Sequence, residues 1–186
     1  MSKYNYFQAL TFLSEVAAKA IEIGCSDCPH PKSDTPSALR RSCDRTVCEL
    51  EDALFSDFLP PMERETLAAC AHCLSRVVNE ATELIPLSAR QRQSNQEGKV
   101  CIRLGTLLKD TVSMLETIRK PKTLPDTKDF RALLTEARLS HEQMLCDLRA
   151  GALPRSMATV IIQTGRLRTT LSEAFDCVVE VMLENI

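Results

Sequence analysis

One spacing recurs along this chain and limits what it can fold into more than any other feature. Apolar residues fall at offsets of 0, 4, 7, 11, 14 and 18 in six successive stretches. Side chains at those offsets line one face of an α-helix, and the apolar–polar alternation of a half-buried strand is absent. The first stretch, roughly residues 5–23, aligns Phe7, Leu10, Ser14, Ala17 and Ile21, with Gly24 placed as its C-cap. Thr35 and Pro36 supply an N-cap and a first-turn proline for the second, whose seam is Cys43, Val47, Leu50 and Leu54. Leu59-Pro60-Pro61 ends it. The third opens acidic at Glu63 and Glu65, which suits a helix N-terminus, and aligns Leu67, Ala71, Leu74, Val78, Ala81 and Ile85.

Residues 88–98 are polar and link this first set of three to a second, with Ser94-x-x-Glu97 as a capping box at the end of the link. The fourth stretch carries Val100, Leu104, Leu107, Met114 and Ile118, and Pro121 to Pro125 marks the turn after it. Asp126 is placed to cap the fifth, with its seam at Phe130, Leu134, Ala137, His141, Met144 and Leu148. Gly151 and Pro154 punctuate the last turn before Val160, Leu167, Leu171, Ala174, Val178 and Val181. Short connections force neighbours to run antiparallel. The expectation is an all-α, six-helix antiparallel up-and-down bundle in one domain over residues 1–186, built from two three-helix repeats at roughly 5–87 and 95–186.

Composition narrows the function. A net charge of -2 and a pI near 6.0 give no basic field for nucleic acid, and 4% aromatic residues without tryptophan leave few rings for stacking on bases or sugars. No apolar run of eighteen residues lacks a charge, so direct membrane insertion is not expected. The opening residues, Met1 to Phe7, lead into an amphipathic stretch bearing Glu15 and Lys19 instead of a signal-peptide core. Nine cysteines, an odd number and mostly at core-like spacings, fit a reduced cytoplasmic protein.

The stretch Leu54-Phe55-x-x-Phe58-Leu59-Pro60-Pro61-x-x-Arg64-Glu65, followed by a helix, resembles the PhoU-like phosphate-regulation family, and within it the branch of short proteins associated with Pit-type phosphate transporters. The resemblance implies a six-helix, two-repeat bundle and acidic pairs one helical turn apart that hold divalent or trivalent metal ions, because an i, i+4 pair aims two hard oxygen ligands at one cation. In register with that pattern, Asp44 matches while Arg40 departs from it. Ser75 and Asn79 replace both acids of the next pair. Ala137 with His141, and Ser172 with Asp176 and Glu180, occupy the corresponding places of the second repeat. The metal ligands carried over are therefore Asp44, Asp176 and Glu180, with Glu49, Glu80 or Glu83 one turn away as substitutes, in motifs that are otherwise degenerate. Arg40 and Asp44 at i, i+4 read as a surface ion pair.

Cys25-x-x-Cys28-x-His30 has the spacing of a zinc half-site, which Cys43 would complete. Cys70 and Cys73 read as packing residues of the third helix, His141 as a satisfied core histidine, and His72 as solvent-facing. Arg40, Arg41 and Arg45 read as a solvated face that becomes an anion patch only if clustered with Arg76. No triad spacing, G-x-S-x-G or phosphate-binding glycine loop exists in a chain with five glycines, so no catalysis is expected. The leading expectation is a PhoU-like accessory protein that docks on a partner, a Pit-type phosphate transporter. The alternatives are a zinc-binding or thiol-redox sensing bundle using the Cys25–His30 loop, and a structural bundle that forms a homo-oligomer through an exposed apolar face.

Overall fold

The computed structural model describes residues 4–26, 35–57, 63–87, 96–117 and 127–184. Six helices carry them: α1 Tyr6–Cys25, α2 Pro36–Ser56, α3 Arg64–Leu84, α4 Gln96–Thr117, α5 Lys128–Arg149 and α6 Ala158–Glu184, the last preceded by a single 3-10 turn at Arg155–Met157. There is no strand among the described residues, as the spacing of apolar side chains requires.

Helix ends follow local chemistry. The Asn5 side chain accepts from the Gln8 amide at 3.1 Å and Thr35 Oγ1 from the Ala38 amide at 3.2 Å, so one of the orphan donors at each of these N-termini is anchored by a short polar side chain, with Pro36 pre-set for the first turn of α2. At the end of α5, Gly151 takes φ +76°, a conformation that costs any side chain with a Cβ, and the Gly151 and Ala152 amides reach back to the Leu148 and Asp147 carbonyls at 3.2 and 2.8 Å.

Contacts between helices fix their directions. Arg40 near the start of α2 meets Thr82 and Glu83 near the end of α3, while Glu51 meets His72, so α2 and α3 are antiparallel. Glu97 with His141 and Arg103 with Glu136 set α4 against α5 in the same way. Ile21 lies over Gly105, and Cys25 feels Cys101, which makes α1 and α4 antiparallel. Thr66 with Glu184, Cys73 with Cys177 and Arg76 with Glu173 do so for α3 and α6. The inner helices are α1, α3, α4 and α6; α2 covers α1 and α3, and α5 covers α4 and α6. One apolar core draws side chains from all six, among them Leu13, Leu50, Leu74, Leu104, Phe130 and Leu171, and Phe130 stacks on Phe175 with ring centroids 3.7 Å apart. A smaller cluster of Met144, Met157 and Ile161 closes the turn between α5 and α6.

Three sequence-based expectations about the helices are corrected. Helix α1 does not stop at Gly24 but continues to Cys25 with Ser26 as its cap, and Gly24 is buried inside the helix. Its missing Cβ serves close packing: one added there would sit 2.5 Å from the Ala81 carbonyl oxygen of α3. The seam of α4 runs through Cys101, Leu104, Leu108, Val112 and Leu115, whereas Met114 is exposed and Leu107 only half-buried. Because α4 packs against α1, α5 and α6, its buried face is broad and centred one residue away from the line drawn through Leu107 and Met114. Thr127, not Asp126, is the cap residue of α5; Asp126, Ser94, Ile118 and the Leu59-Pro60-Pro61 turn lie outside the described residues.

Candidate functional site

The most unusual chemistry of the bundle lies where α4, α5 and α6 meet. Glu97, in the first turn of α4, is 0% exposed. A carboxylate taken fully out of water is costly unless charge and hydrogen bonds replace the lost solvation. Here they do. His141 of α5 approaches Glu97 Oε2 through Nδ1 at 2.9 Å, Thr164 of α6 places Oγ1 3.0 Å from the same oxygen, and Arg168 of α6 brings Nε to 3.3 Å from Oε1. An ionised carboxylate only accepts, so it selects the imidazole form that carries a proton on Nδ1. The positive end of the α4 dipole adds to the stabilisation.

His141 and Arg168 are themselves mostly covered, at 15% and 21% exposed. Gly165 makes room for the imidazole: a Cβ there would fall 2.5 Å from His141 Cε1, so the ring rests directly on the α6 backbone. Thr164 shares its single hydroxyl proton among Glu97 and the Val160 and Ile161 carbonyls, at 3.0, 2.9 and 3.2 Å. Cys101, one turn along α4, is fully buried beside this cluster, and its thiol is pushed well up, by burial first and then by the nearby Cys25 and Glu97. The cluster therefore orients an imidazole without placing an ionised nucleophile beside it.

On its outer side the cluster borders an open groove of about 540 Å³ lined by Arg76, Glu80, His141, Arg166, Arg168 and Thr169, among others. Carboxylates answer most of the positive charge. Arg76 pairs with Glu173 at 2.8 Å, Arg168 with Glu97, and Gln163 donates to the Glu80 carboxylate at 2.8 Å.

Of the residues singled out in the sequence, Asp44 is exposed on α2, and Asp176 and Glu180 are exposed on α6, one turn apart. Among the described residues no group of three or more His, Cys, Asp or Glu side chains is arranged to hold a metal ion. The nearby acids have other partners: Glu83 meets Arg40, Glu49 meets Arg45 at 3.9 Å, and Glu80 meets Gln163. The expected Arg40–Asp44 pair does not form. Arg40 instead crosses to α3, where it donates to Thr82 at 2.7 Å and pairs with Glu83, because a bond to another helix buries its stem while a pair on one helix face does not. Arg45 and Arg76 likewise go to separate carboxylates, so the anion patch of arginines is not assembled. Of the zinc candidates, Cys25 is buried at the end of α1 and Cys43 is buried in α2, whereas Cys28 and His30 lie outside the described residues. His72 is exposed, as expected, and meets Glu51 at 2.9 Å; His141 is the partnered histidine its seam position predicts.

The fold and cluster define a six-helix all-α bundle with a buried carboxylate–imidazole–guanidinium network between its last three helices. No family model matches the chain, and no curated protein matches it. Among solved structures, the chain is similar to a crystal structure of a PhoU-like protein from Shewanella oneidensis MR-1, with a TM-score of 0.61 at 13% identity over 97% of this chain and 95% of that one. The all-α bundle is thus a PhoU-like fold, matched end to end.

Proposed function

We propose that this chain is a PhoU-like accessory protein of phosphate transport, cytoplasmic and non-catalytic, which acts by docking its helical faces on a partner, a Pit-type phosphate transporter. The observation that carries this reading is the correspondence of the whole six-helix bundle, nearly all of both chains, with a PhoU-like protein. Two features support docking over catalysis. The buried Glu97 network is satisfied internally and offers no nucleophile, and no described helix is long and apolar enough to cross a membrane, so a role at a transporter is exercised from outside the bilayer. Phe55, within the Leu54-to-Glu65 stretch, is 86% exposed at the end of α2, a large apolar side chain of the kind that anchors protein contacts. In this reading residues 5–87 and 95–186 are the two pseudo-repeats, and Asp176 and Glu180 are the remnant of a metal motif.

The test is binding of the purified chain to the Pit-type transporter of the same organism in proteoliposomes, with phosphate uptake measured alongside. The expected result is saturable binding that weakens at least tenfold in Phe55→Asp, with uptake altered by the wild-type chain only. Absence of binding at high micromolar concentration, with uptake unchanged, overturns the reading. Elemental analysis of protein purified without a metal-affinity tag addresses the remnant: a stoichiometric metal lost in Asp176→Asn with Glu180→Gln would restore it to a working site.

A further inference from the structure

The sulfur atoms of Cys73 on α3 and Cys177 on α6 lie 3.3 Å apart, although the residues are separated by 104 positions in sequence. Both side chains are partly exposed at the seam between the two antiparallel inner helices, whereas Cys70, one turn away on α3, is fully buried. We propose that Cys73 and Cys177 are a dithiol modification site, oxidised by peroxide or by a small-molecule disulfide to a cross-helix disulfide that fastens α3 to α6.

The geometry singles this pair out. A disulfide needs its two sulfurs to close to about 2.05 Å with Cβ atoms about 3.8 Å apart, and thiols already in van der Waals contact reach that through small side-chain rotations. Both residues sit on one of the two helix pairs, α3 with α6 and α1 with α4, whose packing joins the first three helices to the last three, so the bond ties together elements distant in the chain. Cys70 and Cys73 are two positions of one helix, and a bond between them would constrain nothing beyond that helix. Cys101 and Cys25 are buried at the far end of α1, where an oxidant has no access.

The reaction balances with peroxide as oxidant. The Cys73 thiolate attacks one peroxide oxygen, the O–O bond breaks, water leaves after protonation, and Cys73 becomes a sulfenic acid. Cys177 sulfur then attacks the Cys73 sulfur, the S–O bond breaks, and a second water carries off the oxygen and the Cys177 proton. Two thiols have lost two electrons, which reduced one peroxide to two waters. The same bond and the same two waters result if Cys177 attacks first and Cys73 resolves, because the two sulfurs are already in contact. A thiol reductant reverses the bond by exchange through a mixed disulfide.

The full-length protein is incubated with hydrogen peroxide or glutathione disulfide, its remaining thiols are alkylated, and its peptides are mapped by mass spectrometry. The expected result is a Cys73–Cys177 linked peptide as the dominant intramolecular product, removed by dithiothreitol. Its formation should raise the melting temperature by roughly 10–20 °C, as closure of a loop of that length implies. The linked peptide should vanish in both Cys73→Ser and Cys177→Ser, and their melting temperature should become insensitive to oxidant while helical circular dichroism stays that of the wild type. Absence of the linked peptide while alkylation shows both thiols accessible overturns the proposal. So does a stabilisation by oxidant that persists in the two serine variants.

Discussion

Glu97 shows how much one side chain can organise. Its carboxylate gathers a hydroxyl, an imidazole and a guanidinium from two other helices, so Glu97→Ala removes one acid and strands the Arg168 guanidinium and the His141 Nδ1 proton, which have little water to turn to. Breaking a buried charge network from one side costs about 3–5 kcal/mol, and urea unfolding of the variant is expected to show a loss of that order. Thr164→Val, which keeps the shape and deletes only a hydroxyl whose proton is shared among three acceptors, is expected to cost about 1 kcal/mol in the same assay. A Glu97→Ala variant as stable as the wild type would mean the network is solvated and not part of the core. None of this was legible beforehand. In the sequence Glu97 is the fourth member of a Ser-x-x-Glu pattern, and that local signal points to a capping box; its partners are 44, 67 and 71 residues away and become neighbours only once three helices are packed. The one available clue was His141, a polar residue on the apolar seam of α5, which demanded a buried partner without saying which. Arg40 failed for the same reason, since a pair at i, i+4 is visible in sequence and a crossing to Glu83 is not.

At the scale of helices the apolar spacing was a good guide, because amphipathic periodicity is a property each helix carries alone. Thr35 and Pro36 start α2 as their chemistry requires, and the seams of α3 and α6 are buried along the lines drawn from Leu67 to Ala81 and from Val160 to Val181. What periodicity could not supply was the width and azimuth of a face covered from three sides, hence the rotated seam of α4. Nor could it say that Gly24 marks a helix crossing instead of a helix end. Two of the inner-helix glycines, Gly24 and Gly105, make opposite predictions that test this. At Gly24 an added methyl meets the Ala81 backbone oxygen at 2.5 Å, and backbone cannot move aside without shifting α3. At Gly105 it meets the tip of Ile21 at 2.6 Å, a terminal methyl that a rotamer change withdraws. Alanine gains about 1 kcal/mol of helix propensity over glycine at either site. Gly105→Ala is therefore expected to be within about 1 kcal/mol of the wild type, and Gly24→Ala to be destabilised by about 1–3 kcal/mol as overpacking exceeds the propensity gain. Thermal melts of the two variants side by side decide it, and equal effects would sink the close-crossing account of Gly24.

Across the whole molecule, one consequence of a cysteine-rich core is sensitivity to alkali. Burial raises the thiols of Cys43, Cys70 and Cys101 above their ordinary value of 9.0, with Cys70 and Cys101 fully enclosed, and Cys177 is pushed up to about 12. Tyr6, buried and bonded to Asp57 at 2.6 Å, is likewise raised above its usual 10.0 by burial first and then by that hydrogen bond and charge. In each case the folded protein keeps a proton that the unfolded chain releases. Below pH 9 both states hold it and no stability is lost; above pH 9 the unfolded chain ionises first, gains free energy, and folding stability falls as pH rises. Each such group contributes a slope that climbs to about 1.4 kcal/mol per pH unit once the unfolded thiol is fully ionised, so Cys70 and Cys101 together lose about 2 kcal/mol between pH 9 and 10, with Tyr6 adding to the slope from pH 10 upward. Under reducing conditions the urea midpoint is expected to stay level from pH 7 to about pH 8.5 and then to drop steeply. Cys70→Ala and Cys101→Ala will each be less stable at pH 7 because they leave cavities, but their midpoints should fall less steeply above pH 9 than the wild-type midpoint does. The slope, not the absolute stability, is the quantity to compare: a cavity lowers the curve at every pH, while removal of a proton-retaining thiol flattens only its alkaline limb. A wild-type midpoint that stays level through pH 10 would show that these thiols reach water in the folded bundle, and with it that the inner helices are less closely packed than their contacts indicate.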